Sequence, residues 1–117
     1  MKSFLIQPFH QRIHLTTIPG EFRRKYNAHA PENGLMELSE FEECRGMAAH
    51  LVKKGKPALF MLYLSHDYDE GTLYHESLHL AHFVMDYASA PISMESTETQ
   101  AYLMEHIAAT ARNKLYG

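Results

Sequence analysis

The stretch TLYHESLHLAHFVMDY, residues 72–87, decides the fold of this chain because its apolar residues recur at the spacing of a helix. The helix is predicted to begin near Gly71 or Thr72 and to end before Pro91, since proline cannot continue a helix. One side carries the residues expected to pack against a core, which are Leu73, Ser77, Leu80 and Val84. The opposite side carries three histidines and an acid, which are His75, His79, His82 and Asp86.

Residues 75–79 read His-Glu-Ser-Leu-His, which is the H-E-x-x-H pattern. Side chains four residues apart in a helix lie about 5–6 Å apart at Cβ, so two imidazoles can bind one zinc ion. The glutamate after the first histidine would lie beside the metal, where it can accept a proton from water. We therefore predict that His75 and His79 are zinc ligands and that Glu76 is a general base. If both histidines are buried, each needs a partner, and a metal ion is one such partner. The alternative is that both are structural histidines that find other partners.

A zinc ion held by two histidines needs a third protein ligand from elsewhere in the fold, with water in the open position. His82 and Asp86 lie on the same line, but at about 1.5 Å per residue that line is too long for His75 and Asp86 to share an ion. Both are candidates for a pocket wall, and His82 is equally well explained as a packed histidine. The next helix, in MESTETQAYLMEHI (94–107), offers as ligands Glu95, Glu98, Glu105 and His106.

The N-terminal third is predicted to hold a strand and a short helix. The segment 3–19, SFLIQPFHQRIHLTTIP, mixes β-branched and aromatic residues and is predicted to be an extended strand that ends in a turn at Pro19-Gly20. EFRRKYN (21–27) is predicted to be a surface helix, and APENG (30–34) a loop.

Two interpretations remain open for the middle of the chain. Helix propensity favours a helix from Ser39 to Leu51, with Ser39 as N-cap and Glu42 completing a capping box. The other interpretation makes CRGMAAHL (44–51) a strand, paired through the turn Lys-Lys-Gly-Lys with the buried strand ALFMLYLS (58–65). A last helix, from about Ser93 to Leu115, is predicted to pack through Ala101, Met104, Ala108, Ala111 and Leu115.

Composition limits the function classes. The 117 residues predict one domain, 1–117, and a net charge of −3 with no basic run longer than Arg-Arg-Lys argues against nucleic acid or an anionic membrane as partner. No stretch approaches the roughly 20 apolar residues of a membrane span. A lone cysteine, Cys44, allows no intrachain disulfide and favours a reducing compartment. We therefore expect a cytoplasmic protein.

Over residues 44–110 the chain resembles the gluzincin class of zinc metallopeptidases, in which a second helix supplies a glutamate ligand after the H-E-x-x-H helix. Glu98 lies 19 positions after His79. The chain is also similar to small phage-type zinc metallopeptidases, through TLYHESLH and the Glu-x-x-Ala-Tyr-Leu pattern at 98–103. This resemblance implies that Glu98 is the third zinc ligand and that the setting is the host cytoplasm if the gene is phage-borne. It also favours the strand for CRGMAAHL, beside the metal, where a peptide substrate can add as one more strand.

The resemblance leaves the oxyanion stabiliser open among five residues, which are Tyr63, His66, Tyr68, Tyr102 and His106. Tyr102 is the first to test, because it lies one turn after Glu98. We expect an α+β, minimal zincin-like domain whose two or three antiparallel strands pack on the H-E-x-x-H helix and a C-terminal helix. The expected function is zinc-dependent hydrolysis of a peptide or protein. The alternatives are a catalytically inactive zincin-fold protein that binds metal and acts by binding a protein partner, and a purely structural helical domain.

Overall fold

The computed structural model describes residues 1–29, 36–41 and 43–116. In chain order these residues form β1 (Lys2–Ile6), β2 (Gln11–Thr16), α1 (Pro19–His29), β3 (Gly46–Leu51), β4 (Leu59–Leu64), α2 (Glu70–Tyr87) and α3 (Thr97–Tyr116). Short 3₁₀ turns at Leu38–Phe41 and Met94–Ser96 precede β3 and α3. The fold is α+β, as the sequence predicts.

The sheet differs from the antiparallel sheet that the sequence predicts. Its four strands have the order β1-β2-β4-β3, and the central pair, β2 and β4, is parallel, with Ile13 opposite Phe60. The outer pairs, β1 with β2 and β3 with β4, are antiparallel. The prediction of two or three antiparallel strands is therefore wrong in number and in the central pairing.

Two features of the chain explain this difference. The segment 3–19 is not one strand, because it reverses at residues 7–10, where His10 has a φ of 54°, and forms the hairpin of β1 and β2. Between β2 and β4 the chain then passes through α1 and the edge strand β3. A connection of that length lets β4 enter the sheet in the same direction as β2.

The strand interpretation of CRGMAAHL is confirmed, and the helix from Ser39 to Leu51 is wrong. Among the described residues of this segment, only Leu38–Phe41 is helical, as a 3₁₀ turn, and residues 46–51 pair with β4 along its whole length. Glu42, the predicted capping-box residue, lies outside the described residues. The connecting turn contains Gly55 at a φ of +83°, a conformation that glycine adopts without steric cost. Sheet pairing thus overrides helix propensity in this segment.

The helix predicted for residues 21–27 is longer than expected, since α1 begins at Pro19 and continues to His29. The predicted turn at Pro19-Gly20 is the first turn of this helix, where a proline is well tolerated. Phe22 of α1 is fully buried and makes edge contacts with Phe41 and Tyr63, with ring centroids 5.7 and 6.2 Å apart. The predicted loop 30–34 lies outside the described residues.

The side chains of β4 alternate between two cores, one on each face of the sheet. Leu59, Met61 and Tyr63 pack with Phe22 and Phe41 in the smaller core. The other face carries the main core, in which β4 contributes Phe60, Leu62 and Leu64, and α2 and α3 both pack on it. Strand β4 is buried at all six positions, which confirms the prediction of a buried strand.

The apolar side predicted for the H-E-x-x-H helix is confirmed, because Leu73, Ser77, Leu80 and Val84 are all fully buried. The stripe predicted for the last helix is only partly right. Of the five predicted residues, Ala108 and Ala111 are buried, and Ala101, Met104 and Leu115 are only partly covered. Leu103 and Ile107, which were not predicted, are buried as well. The buried side of α3 therefore differs from the predicted stripe and runs through Leu103, Ile107, Ala108 and Ala111.

Candidate metal site

The start of α2 is fixed by a side-chain cap. Asp69 Oδ1 accepts a hydrogen bond from the Thr72 amide at 2.7 Å, and Asp69 Oδ2 lies 3.4 Å from Arg45 Nη1. The amide contact holds the pKa of Asp69 below its usual value, so the cap is charged at neutral pH. This cap satisfies an amide that has no partner within the helix, and His75, Glu76 and His79 follow within the first three turns of α2.

His75 and His79 converge on a common point outside the helix. Their Nε2 atoms lie 3.2 Å apart, and their rings are 4.8 Å apart at an angle of 78°. Two nitrogens bound to one tetrahedral zinc ion at about 2.0–2.1 Å lie about 3.3–3.4 Å from each other. The separation of this pair therefore matches the spacing that zinc requires of two histidine ligands.

Both histidines face solvent, contrary to the sequence argument that their burial would demand a partner. The side chain of His75 is 67% exposed. Exposed imidazoles need no partner, so that argument fails for this pair. What distinguishes the pair from ordinary surface histidines is the approach of their two Nε2 atoms.

Glu76 lies between this pair and the edge strand. Its side chain is only 13% exposed, and its Oε1 lies 3.9 Å from His75 Nε2. The stem of Glu76 packs on Gly46, where an added Cβ would lie 3.0 Å from Glu76 Cγ and 2.7 Å from Thr72 Cγ2. Only glycine lets β3 approach α2 this closely.

A depression of about 420 Å³ opens beside Glu76, and its lining includes Arg45, Gly46, Asp69, Thr72 and His75. Cys44 lies close by, and its thiol donates a hydrogen bond to the Gly46 carbonyl at 2.9 Å. Burial, and to a lesser degree the negative charge of Glu76, raises the pKa of the Cys44 thiol. Cys44 is therefore a neutral thiol at neutral pH.

The remaining predicted residues on α2 have separate surroundings. His82 Nε2 lies 3.0 Å from Gln100 Oε1, and the Gln100 amide donates to the Ser93 carbonyl at 2.9 Å. His82 thus connects α2 to the start of α3, which agrees with its interpretation as a packed histidine. Asp86 is exposed, at the C-terminal end of α2.

The predicted residues of α3 are placed on its outer surface. Glu98 is exposed in the first turn of the helix. Tyr102 is 57% exposed, and its ring lies parallel to that of His106 at 5.9 Å. Within residues 1–29, 36–41 and 43–116, no three His, Cys, Asp or Glu side chains form a group that could hold a metal ion. The structure brings together His75, His79 and Glu76, and it leaves Glu98 outside that group.

The sequence analysis did not single out Phe83 and His50. The ring of Phe83 lies parallel to that of His79 at 6.3 Å, and its other neighbour is His50 of β3, at 5.8 Å. Phe83 follows His79 by four residues, so helical spacing could have identified it. The contact with His50 depends on the packing of β3 against α2, which no local pattern reveals.

Comparison of the chain with protein-family models, curated proteins and solved structures finds no match in any of the three. Over the part of the chain that the structure describes, no helix has both the length and the apolar character needed to cross a membrane.

Proposed function

We propose that this chain is a zinc-dependent peptidase with a minimal zincin-like fold, in which His75 and His79 bind the metal and Glu76 is the general base. The observation that carries the proposal is the 3.2 Å approach of the two histidine Nε2 atoms, with Glu76 Oε1 at 3.9 Å from the nearer ring. Without metal, the same two nitrogens are within hydrogen-bond distance of each other, so the test below measures zinc binding and cleavage directly. Bound zinc would supply Lewis acidity, polarising a substrate carbonyl and lowering the pKa of the attacking water.

Glu76 is well placed for proton transfer. Its carboxylate is largely shielded from bulk water and its stem is held against Gly46, so its oxygens have little freedom to turn away from the histidine pair. In the proposed reaction Glu76 accepts the proton of the attacking water and delivers it to the leaving amine. A neutral Cys44 thiol nearby adds no charge that would compete for this proton.

The edge strand β3 is the proposed binding surface for the substrate backbone. Among the described strands, β3 pairs only with β4, so no further described strand lies along its outer edge. Gly46 places the first residue of this edge against Glu76. A peptide that adds to β3 as a further strand would pass next to the general base.

Glu98 is the proposed third ligand, and Tyr102 the proposed oxyanion stabiliser. Both lie in the first turns of α3, the helix that packs against α2. Neither belongs to the group formed by His75, His79 and Glu76, so both roles stay proposals that rest on the sequence resemblance. Removal of either side chain tests its role.

One observation favours a second candidate function. Because no group of three metal-binding side chains is formed among the described residues, a protein that holds zinc weakly and acts by binding a protein partner also fits the geometry. The two functions differ in their dependence on Glu76, since a binding protein needs no general base.

The test is cleavage of a peptide library, followed by mass spectrometry, with wild-type protein loaded with zinc. Glu76→Gln keeps the shape of the side chain and removes the base, so it should bind zinc normally and cleave nothing. Glu37→Gln, which neutralises an exposed carboxylate outside the site, should cleave as the wild type does. The peptidase mechanism would be refuted if the protein binds zinc and Glu76→Gln cleaves as fast as the wild type. It would also be refuted if the protein binds zinc and no form cleaves any peptide.

A further inference from the structure

A series of aromatic rings connects the main core to the exposed histidine pair. Phe60 of β4, fully buried, lies parallel to His50 of β3 at 4.5 Å and 10°. His50 is next to Phe83 of α2 at 5.8 Å. Phe83 in turn lies parallel to His79 at 6.3 Å and 20°. His79 is therefore the outermost of four rings, the innermost of which belongs to the core of the sheet.

From this series we infer that Phe83 is a positioning residue, which holds the His79 imidazole in its metal-binding orientation. The inference rests on the proposed function, because the orientation matters only if His79 is a ligand. It assigns to Phe83 a role that acts through His79, without contact between Phe83 and the metal.

The surroundings of His79 show why such a residue is needed. Metal-binding histidines are usually oriented by a hydrogen bond from their second ring nitrogen to a carboxylate or carbonyl. Among the residues that the structure describes, the hydrogen-bond partner of His79 is His75, through the Nε2 atoms that would face the metal. Among the described residues no acceptor meets the second ring nitrogen of His79, and besides His75 the neighbouring ring is Phe83, 6.3 Å away and inclined by 20°.

Phe83 can perform this role because it is itself held in place. Its side chain is half-buried and packs against the main core. It also meets His50, which stacks on the fully buried Phe60. Burial lowers the pKa of His50, so the ring next to Phe83 is neutral at neutral pH. Parallel and edge-to-face pairs at these distances attract each other beyond simple burial.

The two predicted ligands are therefore unequal. His79 is oriented by Phe83, whereas His75 is 67% exposed and its ring contact is His79. Loss of the Phe83 ring should weaken zinc binding by allowing His79 to rotate out of line, while His75 is already less constrained.

The first experiment measures zinc affinity by competition with a chromophoric chelator in the full chain. Phe83→Leu removes the ring and keeps an apolar side chain, and it should bind zinc about tenfold more weakly. Phe83→Tyr keeps the ring and should restore the wild-type affinity. The matched control is Tyr87→Leu, which removes another ring of α2 that touches His50 and Phe60 and leaves the Phe83–His79 stack unchanged.

The second experiment needs no metal. In the NMR spectrum of the zinc-free chain, nuclear Overhauser contacts between the His75 and His79 rings, whose centroids are 4.8 Å apart, should be seen in the wild type, in Phe83→Tyr and in Tyr87→Leu. Those contacts should be weakened or lost in Phe83→Leu, whose circular dichroism shows whether the fold is retained. A general loss of stability would not move this signal selectively.

The outcomes separate the two proposals. Zinc binding by the wild type together with a Phe83→Leu affinity within about twofold of it would overturn the positioning role and leave the proposed function standing. A tenfold loss shared by Tyr87→Leu would also overturn it, since the effect would then be structural. A folded wild-type chain that binds no zinc would overturn the proposed function, and the positioning role with it.

Discussion

Replacement of Gly46 by alanine is expected to destabilise the fold, because β3 lies directly against α2 at this residue. An added Cβ would lie 2.7 Å from Thr72 Cγ2, 3.0 Å from Glu76 Cγ and 3.3 Å from the Tyr63 carbonyl oxygen. Ordinary carbon–carbon contact is about 3.5–4.0 Å. The Thr72 methyl is on a β-branched side chain that has little rotational freedom in a helix, and the Tyr63 carbonyl belongs to a central strand. Neither can give way cheaply.

Overpacking of this kind costs about 1–3 kcal/mol. For a chain of this size, 1 kcal/mol corresponds to about 4 °C in Tm, so Gly46→Ala should lower Tm by about 4–12 °C in thermal unfolding followed by circular dichroism. The matched control is Gly71→Ala, where the nearest atom to the new Cβ is Asp69 Oδ1 at 3.4 Å. That substitution should change the free energy of unfolding by less than about 1 kcal/mol.

A double-mutant cycle identifies the cause. Thr72→Ser removes the methyl that lies closest to the added Cβ and keeps the hydroxyl, so Gly46→Ala should cost less in the Thr72→Ser background than alone. A wild-type Tm for Gly46→Ala, or an equal loss of stability in both backgrounds, would refute the close approach of β3 to α2. The placement of Glu76 beside the edge strand would then have no basis.

Three further predictions test the cores and the electrostatics. Phe22→Ala should lower the free energy of unfolding by about 3–5 kcal/mol in urea denaturation, because the ring is fully buried between α1 and the sheet. Burial, and then the positive charge of Lys25, lowers the pKa of His14 to about 4, below its unfolded value of 6.5. The unfolded chain therefore binds more protons between these values, so stability should fall as pH drops from about 6.5 to about 4, and less steeply in His14→Asn. Because burial raises its pKa, Cys44 should react with iodoacetamide at pH 7 more slowly in the folded chain than after unfolding in urea.

Each of these predictions has a result that contradicts it. A small change for Phe22→Ala would mean that the second core contributes little to stability. An unchanged pH profile in His14→Asn would assign the acid sensitivity to other groups, such as His29 and His50, whose pKa values burial also lowers. Equal alkylation rates for folded and unfolded chain would mean that the Cys44 thiol is not shielded.

The sequence predicts the part of the fold that depends on local periodicity. The buried side of α2, the buried strand β4 and the presence of a long C-terminal helix all follow from apolar residues at regular spacing. The parallel pairing of β2 with β4 could not be predicted in this way. It depends on the path of the chain through α1 and β3, and periodicity within a strand carries no information about the direction of its neighbour.

The candidate site likewise has a part that local sequence predicts and a part that depends on tertiary contacts. His75, Glu76 and His79 lie on consecutive turns of one helix, so their mutual arrangement follows from the helix alone. Their exposure, the close approach of Gly46 and the stacking of Phe83 on His79 depend on contacts between elements. The same holds for Glu98, whose role as third ligand stays a prediction because it depends on how the first turn of α3 faces α2.

The most direct test of the zinc site is the metal content of the purified protein, measured by elemental analysis for the wild type and for three variants. We expect about one zinc per chain, lost in His79→Ala, lost or strongly reduced in Glu98→Ala, and retained in His66→Ala, which removes an exposed histidine that is not a proposed zinc ligand. A wild-type chain that is folded and holds no zinc, even after incubation with the metal, would contradict it. The approach of His75 to His79 would then be an ordinary contact between two surface histidines.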